Sequence, residues 1–598
     1  MQASLLLNTS LFKEDATLVE MLMPLLVIGI LVFVSFKGLR EWVARIRGHY
    51  FRRNYVVIIG LSRIAMQLAG QLLAQGRKVS VLSPGKLSSE AEILRKKGAH
   101  VLANLDNESS MLEKAGLRHA RTCLIVGEND KENLGVAELI RELKRKQTSH
   151  RRLRILVQVK NISTVEVMKD YLLPASLQGN SELIPFNEKR MAAQQVYDLN
   201  PPYAFLNGEA RLENKECICV LGFNPVAELF LVENAILSQY PGERKLKIIL
   251  LTAHAETSMK GLLIRRPFLS DYLELVPFEL VNTAFAPSPA WNPELIRLLP
   301  EIDAVYCFNE DDSEQFLQAM HFRQFLYQHT QQARRVPFTL CLPEATNIGH
   351  LLNPEGASRP GIPTVRDLNL HVFHQIRDTC TVRNLIDEND ISQQLAIAVN
   401  YCYSVRYEFN GILRDEFRQP NAFNVLKEID AKLLAFRPTT GNPLAEMEKL
   451  VLDMLVTFTK NSVWRLRKHF GIMERWNLLT ERKKDSNRYV VRHIGHKVHI
   501  LERSGAKDIS RETVEKQMHV LAPLEHKRWS AEKYAAGFAS GKLPDDDKTL
   551  RAMLKDVMKV HDKLIDFQKL DEENKRKDLD LFLILPMLLA IRKQLTLP

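Results

Sequence analysis

Metal and redox chemistry have little to stand on in this 598-residue chain. Its seven cysteines include no CxxC pair and no even spacing, which excludes a zinc-ribbon pattern and a disulfide-stapled secreted fold. Cys217 and Cys219 alternate on an apolar, strand-like run, and Cys307 and Cys341 also fall in apolar runs. Free, buried thiols in a reducing compartment are therefore expected. HExxH and the GxxxxGKS/T phosphate loop are absent too, so neither a zincin helix nor a P-loop is written here.

Uncharged apolar stretches are scarce. One qualifies as a membrane span: residues 21–36, MLMPLLVIGILVFVSF, extended by Thr17 to Val19 if Glu20 sits at the interface. That length approaches the roughly 20 residues a helix needs to cross a bilayer. A cleaved signal peptide carries its positive charges first, but here Glu14, Asp15 and Glu20 precede the run. Lys37, Arg40, Arg45, Arg47, Arg52 and Arg53 follow it. The positive-inside bias then places residues 1–16 outside, a transmembrane helix at 17–36, a basic juxtamembrane segment at 37–53, and the bulk in the cytoplasm. That is a single-pass protein of the inner (cytoplasmic) membrane; a buried core helix is the alternative. Residues 581–591, LFLILPMLLAI, are shorter, contain Pro586, and are expected to cap a helical core.

What remains is ordinary globular sequence, 45% hydrophobic and 26% charged, and long enough for several domains. The net charge of +11 is dispersed. A basic stretch at 141–154 lacks interleaved aromatics, so a solvated face near anionic lipid is favoured and no nucleic acid is expected.

Residues 56–85 read as a strand, a glycine turn, a helix and a second strand. Val56 to Ile59 form a near-continuous apolar run, as a parallel strand covered on both faces requires. Gly60 turns the chain, and a helix from about Ile64 to Gln75 offers its free N–H groups to a phosphate. Further strands follow in RKVSVL, AHVLAN, RTCLIVGEN, RILVQVKN and SELIPFN, with helices expected at 109–118 and 131–146. Such alternation is the doubly wound α/β signature.

The order GLSRIAMQLAGQLLAQGRKVSVL, DNESSMLEKAGLRHARTCLIV, NDKENLGVAELIREL and SELIPFNEKRMAA resembles the TrkA-N or RCK-type nucleotide-binding domain of potassium-uptake regulators. Gly60, Asp106, Ala115, Gly116, Ala120, Asp130, Asn133 and Pro185 carry the likeness over residues 54–198. It implies a nucleotide or dinucleotide ligand, NAD(P)-like or a nucleotide-derived signal, held around Gly60, Ser62, Arg63, Ile64, Ala65, Ser83, Asp106 and Asn129. Two departures matter. GxGxxG has become G-x-S-x-x-A, putting the Ser62 hydroxyl where backbone should approach a diphosphate, and Ser83 stands where an acidic residue would hold a ribose. A phosphorylated or smaller nucleotide fits as well as NAD, and an empty structural unit is the alternative.

KECICVLGFNPVAELFLVENAIL (215–237) repeats the plan with Gly222, Asn224 and Pro225 in the turn. Strands are expected in LKIILLT, DYLELVP, DAVYCFNED and PFTLCLP, giving a second, degenerate Rossmann-like domain over 213–350. With Leu251-Thr252 ending its second strand it has no ribose acid, and it reads mainly as a packing and dimerisation module.

From about residue 390 helical periodicity dominates, with a helical region at 385–510. LAEMEKLVLDMLVTFTKNSVWRL reads as one helical run. In LAPLEHKRW, Glu525 and Trp529 are four apart and share a helix face, with His526 and Arg528 beside them. This segment, with GF at 537–538, LIDFQKL at 564–570 and KRKDLD at 575–580, resembles the RyR domain of ryanodine receptors and of bacterial and phage proteins. The likeness covers 512–598, an all-α module, and implies a recognition cleft for a nucleotide-derived signal. Its candidate residues are Glu525, His526, Arg528, Trp529, Phe538, Phe567, Lys575 and Asp578, with Trp529 stacking on a base and Arg528 and Lys575 meeting phosphate. Packed, hydrogen-bonded core residues are the plain alternative for His526 and Trp529.

No nucleophile, relay or metal-ligand spacing supports catalysis. Three functions remain open. The first is a membrane-anchored nucleotide sensor controlling a homo-oligomer, dimer or tetramer, in the bilayer. The second is a regulatory subunit of potassium or other cation transport acting through a separate channel subunit, because one span without a filter loop makes no selective pore. The third is an NAD(P)-dependent oxidoreductase.

Overall fold

A computed structural model describes residues 55–83, 88–102, 115–146, 152–172, 174, 177–205, 216–280, 292–330, 336–343, 369–387 and 390–596. The expected anchor and its basic flank, at 17–53, lie outside the described residues, as do Asp106 and most of the helix expected at 109–118. Among the described residues no helix is long and apolar enough to cross a membrane.

The first unit has six strands: β1 (Val56–Ile59), β2 (Val79–Leu82), β3 (His100–Leu102), β4 (Thr122–Ile125), β5 (Leu153–Gln158) and β6 (Ser181–Phe186). All pair in parallel in the order β3-β2-β1-β4-β5-β6. Burial on both faces explains their unbroken apolar character. Pro185 falls on edge strand β6, where a missing N–H costs no ladder bond. Helices α1 (Arg63–Ala74), α2 (Asp130–Arg145), α3 (Ile162–Tyr171) and α4 (Glu188–Leu199) belong to this unit.

The second unit repeats the winding with β7 (Cys217–Leu221), β8 (Leu246–Thr252), β9 (Leu273–Glu279), β10 (Ala304–Cys307), β11 (Phe338–Leu342) and β12 (Leu370–His374), again all parallel. Its sixth strand extends the unit beyond residue 350, the boundary expected from sequence. Asp271 and Tyr272, read as the start of a strand, instead end a short helix, Leu269–Tyr272.

Helix α5 (Pro225–Leu237) is apolar almost all round, and every residue from Leu229 to Leu237 is buried. It packs against α4 and, in the C-terminal module, against α9 (Met518–Ala535). One continuous core therefore runs from Ala192 through the second unit to Ile591. The segment after β12 returns to the first unit: Gln67 Nε2 donates to the carbonyls of Ile376, Arg377 and Cys380, and Val382 N donates to Gln71. All seven cysteines are free and buried.

The module beyond residue 390 is helical, including α6 (Ile391–Tyr407), α7 (Glu481–Arg492), α8 (Ile494–Arg503) and α10 (Glu572–Leu583). The run expected over 444–466 breaks into Pro443–Thr459 and Val463–Phe470, because Lys460 turns left-handed at φ 58° and Ser462 caps the second helix. A short parallel ribbon, β13 (Ala539–Ser540) with β14 (Val560–His561), interrupts the all-α character expected for 512–598. Helix Leu585–Leu595 starts with Pro586 in its first turn and buries Met587, Leu588 and Ile591, as a core cap should.

His493 stands at the N-terminal cap of α8, and His496 and His499 follow within it. Burial, only partly offset by Glu525, holds His493 down to about 4, and burial with Arg503 holds His499 down to about 4. The unfolded chain therefore takes up protons between pH 6.5 and 4 that the folded chain refuses, and stability falls as pH drops through that window. For His493 the upper bound is about 3 kcal/mol. Unfolding midpoints measured from about pH 7.5 to 4.5 are expected to decline, and His493→Phe to flatten the slope. A flat wild-type profile contradicts the assignment.

Candidate functional site

In an open α/β sheet, ligands bind beyond the carboxyl ends of the strands where the winding reverses, here between β1 and β4. Gly60, Ser83, Asn129 and the start of α1 all gather at that edge. Gly60 has φ 106°, and a Cβ there would stand 2.7 Å from the Val126 carbonyl oxygen, so the first glycine is a steric requirement of the turn. Ser62 is the N-cap of α1, and its Oγ accepts from Ala65 N at 3.4 Å. The hydroxyl thus occupies part of the helix end that a phosphate would use. Arg63 is exposed at the mouth, whereas the Ile64 and Ala65 side chains are buried in the sheet core and can offer a ligand only backbone.

Ser83 is buried at the end of β2 and donates its N–H to Leu102 O at 2.9 Å. Asn129 caps α2 by accepting from Lys131 N at 2.8 Å. Beside it, Asn133 ties the loop down, accepting from Gly127 N at 2.9 Å and donating to the carbonyls of Gly127 and Gln158, both at 3.1 Å. Asp130 accepts from Lys160 N and Asn161 N, linking this loop to the one after β5.

The second unit's loop is closed. Asn224 Oδ1 accepts from both Val226 N at 2.9 Å and Ala227 N at 3.0 Å, and Pro225 contributes no N–H. Gly222, at φ 81°, would drive a Cβ into the Phe308 carbonyl oxygen. The anion-binding groups of this helix end are consumed by the chain itself.

In the C-terminal module the eight residues singled out from sequence divide into two groups. Glu525 and Arg528 lie wholly inside: Glu525 meets Lys497 Nζ at 2.7 Å and Arg528 Nε at 2.8 Å, and Arg528 also reaches Glu532 at 2.7 Å. Arg528 is therefore not available to a phosphate, and Glu525, although four residues from Trp529 on the same helix, is consumed by these ion pairs. Lys575 pairs with Glu572 at 3.0 Å, within its own helix.

The others come together. His526 and Trp529 stack with centroids 5.5 Å apart, Phe567 sits 5.9 Å from His526, and Phe538 lies 6.4 Å from His561. His526 Nδ1 faces Asp578 Oδ2 at 3.1 Å and Nε2 faces Ile565 O at 2.8 Å. Burial disfavours its charge, but the Asp578 carboxylate and that carbonyl prevail and raise it above the usual histidine range.

Sequence patterning did not point to His561, which meets Trp529 edge to face at 5.0 Å. Nor did it mark Lys533, whose ammonium lies 5.9 Å from the Trp529 ring and 5.7 Å from the Phe538 ring. Burial and Lys555, helped by Lys533 and Lys563, hold His561 down to about 4. Lys533 pairs with Glu532 at 3.2 Å and Lys563 with Asp571 at 3.1 Å, so an anion at this half-buried aromatic platform has to share or displace those carboxylates.

Two sheets of identical winding, each with a glycine turn where the strand order reverses, define a tandem of Rossmann units. Residues 56–175, most of the first unit, match the family model of the TrkA-N domain. Among solved structures, this chain is similar to a point mutant of GsuK at 12% identity and TM-score 0.31, covering 58% of this chain and 75% of that one. It is similar to GsuK bound to ADP at 14% identity and TM-score 0.29, with 58% and 75% covered. For the GsuK channel bound to NAD the values are 12%, 0.28, 58% and 68%. No curated protein matches the chain.

Proposed function

We propose that this protein is a membrane-tethered receptor for a nucleotide-type molecule, acting as a regulator and not as an enzyme. The carrying observation is the unequal fate of its two glycine loops: the first stands at a switch point within a TrkA-N domain, while Asn224 and Pro225 close the second. The family match supports a nucleotide or dinucleotide as the ligand class. Ser83, standing where a ribose-binding acid would, leaves phosphate contact at the start of α1 as the principal hold, in a space that the Ser62 hydroxyl narrows.

The RyR-type likeness of residues 512–598 gives the aromatic cluster the role of a second ligand position, with Trp529 as platform and Lys533, Lys555 and Lys563 as anion partners in place of Arg528 and Lys575. The apolar run at 21–36 then tethers an oligomer to the inner membrane, N-terminus outside. Control of a cation-transport partner is the output that the TrkA-N match favours.

Thermal unfolding of the full chain in detergent, with NAD, NADP, ADP and ATP added singly, tests the proposal. A ligand at about a hundredfold its Kd adds about 2.7 kcal/mol. Trp529→Ala is expected to weaken a nucleotide bound at the cluster by about 1–3 kcal/mol, about 5- to 150-fold in Kd by calorimetry. Unchanged unfolding with all four compounds counts against the receptor role, and turnover of any of them refutes it.

A further inference from the structure

Lys559 links the aromatic cluster to the TrkA-N unit. Lys559 directly precedes β14, whose His561 closes the cluster against Trp529. Its Nζ lies 2.5 Å from Asp170 Oδ2 on α3 of the first unit and donates to Ala536 O at 2.8 Å. Its carbonyl accepts from Ala539 N at 2.8 Å, tying it to the strand next to Phe538. Lys559 holds φ 56°, a left-handed conformation that a side chain adopts at a cost and that surrounding contacts must maintain.

Asp170 is a shared anchor. Arg482 of α7 donates to its Oδ1 at 2.7 Å and to Glu166 Oε2 at 2.6 Å, and Arg190 also pairs with Glu166. Lys169 reaches Asp485 at 2.7 Å. Glu166, Arg190, Arg482 and Asp485 of this network, with Glu233 and Glu532, line a cavity of about 30 Å³, on the scale of a single water.

Trp529 and His561 fill the cluster themselves. A planar base laid on Trp529 needs about 3.5 Å of clearance, and with His526 stacked on Trp529 and held by Asp578 and Ile565, His561 on its short ribbon is the ring freer to withdraw. We propose that the Lys559–Asp170 contact reports occupancy of the aromatic cluster to the TrkA-N unit: withdrawal of His561 draws Lys559 off Asp170 and loosens α3 from α7. The proposal rests on the cluster being a ligand position.

Hydrogen exchange at residues 162–171 of the full chain tests the link without ligand. Lys559→Met is expected to speed exchange there about tenfold, as for loss of one charge-assisted hydrogen bond, with Lys559→Arg restoring protection. His561→Ala is expected to speed it in the wild-type background and to add nothing in Lys559→Met. No change in Lys559→Met, or an undiminished His561→Ala effect beside it, overturns the link. Titration of Trp529 fluorescence with ADP and NAD reads the ligand position separately. Quenching without altered exchange at 162–171 sinks the link alone, whereas silence with the variants behaving as stated sinks the ligand position alone.

Discussion

Glu525→Ala should destabilise the C-terminal module by about 3–5 kcal/mol, the usual loss when one member of a buried ion group is removed. Glu525 has no exposed surface, and two cations converge on it: Lys497 at 2.7 Å and Arg528 at 2.8 Å. His493 Nδ1 stands 3.6 Å away. Burial alone would push the carboxyl up, but Arg528, Lys497 and His493 hold it well below the usual carboxylate range. Truncation removes the carboxylate paired with Lys497, itself 1% exposed, and leaves its ammonium 4.3 Å from the Phe582 ring with Asp578 as the remaining acidic neighbour. Urea unfolding followed through Trp476 and Trp529 fluorescence measures the loss. Pairing Glu525→Met with Lys497→Met should recover most of it, since apolar replacement of a buried pair is often neutral. A change below about 1 kcal/mol for the single variant would mean that these charges are solvated in a way their burial does not allow.

The second large effect is expected at the closed loop. Gly222→Ala adds a Cβ that collides with Phe308 O, in a backbone conformation at φ 81° that alanine adopts poorly. The conformational term costs about 1–2 kcal/mol. Because the obstructing atom is strand-end backbone, relief requires β7 and β10 to separate, so a total loss of roughly 3 kcal/mol or more is expected. Gly60→Ala, with its nearest contact at 2.7 Å, should destabilise less. Thermal midpoints of the two variants give the order directly. If Gly60→Ala proves the more damaging, the second loop is not the tighter of the two.

The parallel strands were legible because sheets covered on both faces leave long apolar runs, and the glycine turns because only glycine tolerates those backbone angles. Strand β12 escaped notice since it follows the preceding strand at a long remove, and the two-residue strands β13 and β14 have no periodicity to read. The candidate site divided along a physical line. Aromatic residues on and after α9 announced a cluster, and His526, Trp529, Phe538 and Phe567 do assemble. Charged residues on the same helix suggested an open face, yet Glu525 and Glu532 share Arg528 inside, with Lys497 and Lys533 completing the charge balance. Mutual pairing is the circumstance in which charges go inward, and nothing in the linear order announces it. His561 and the lysines around it reach the cluster through a tertiary contact that no local pattern encodes.

Helix α5 limits how this chain can be cut. Since α4 on one side and α9 on the other jointly shield it, a fragment ending near residue 380 would carry a wide, water-exposed oily surface where α9 belongs. Such a piece invites clumping during expression. Any exchange of parts with other proteins, by laboratory design or by recombination, has to move the second Rossmann unit and the C-terminal helices as a single block.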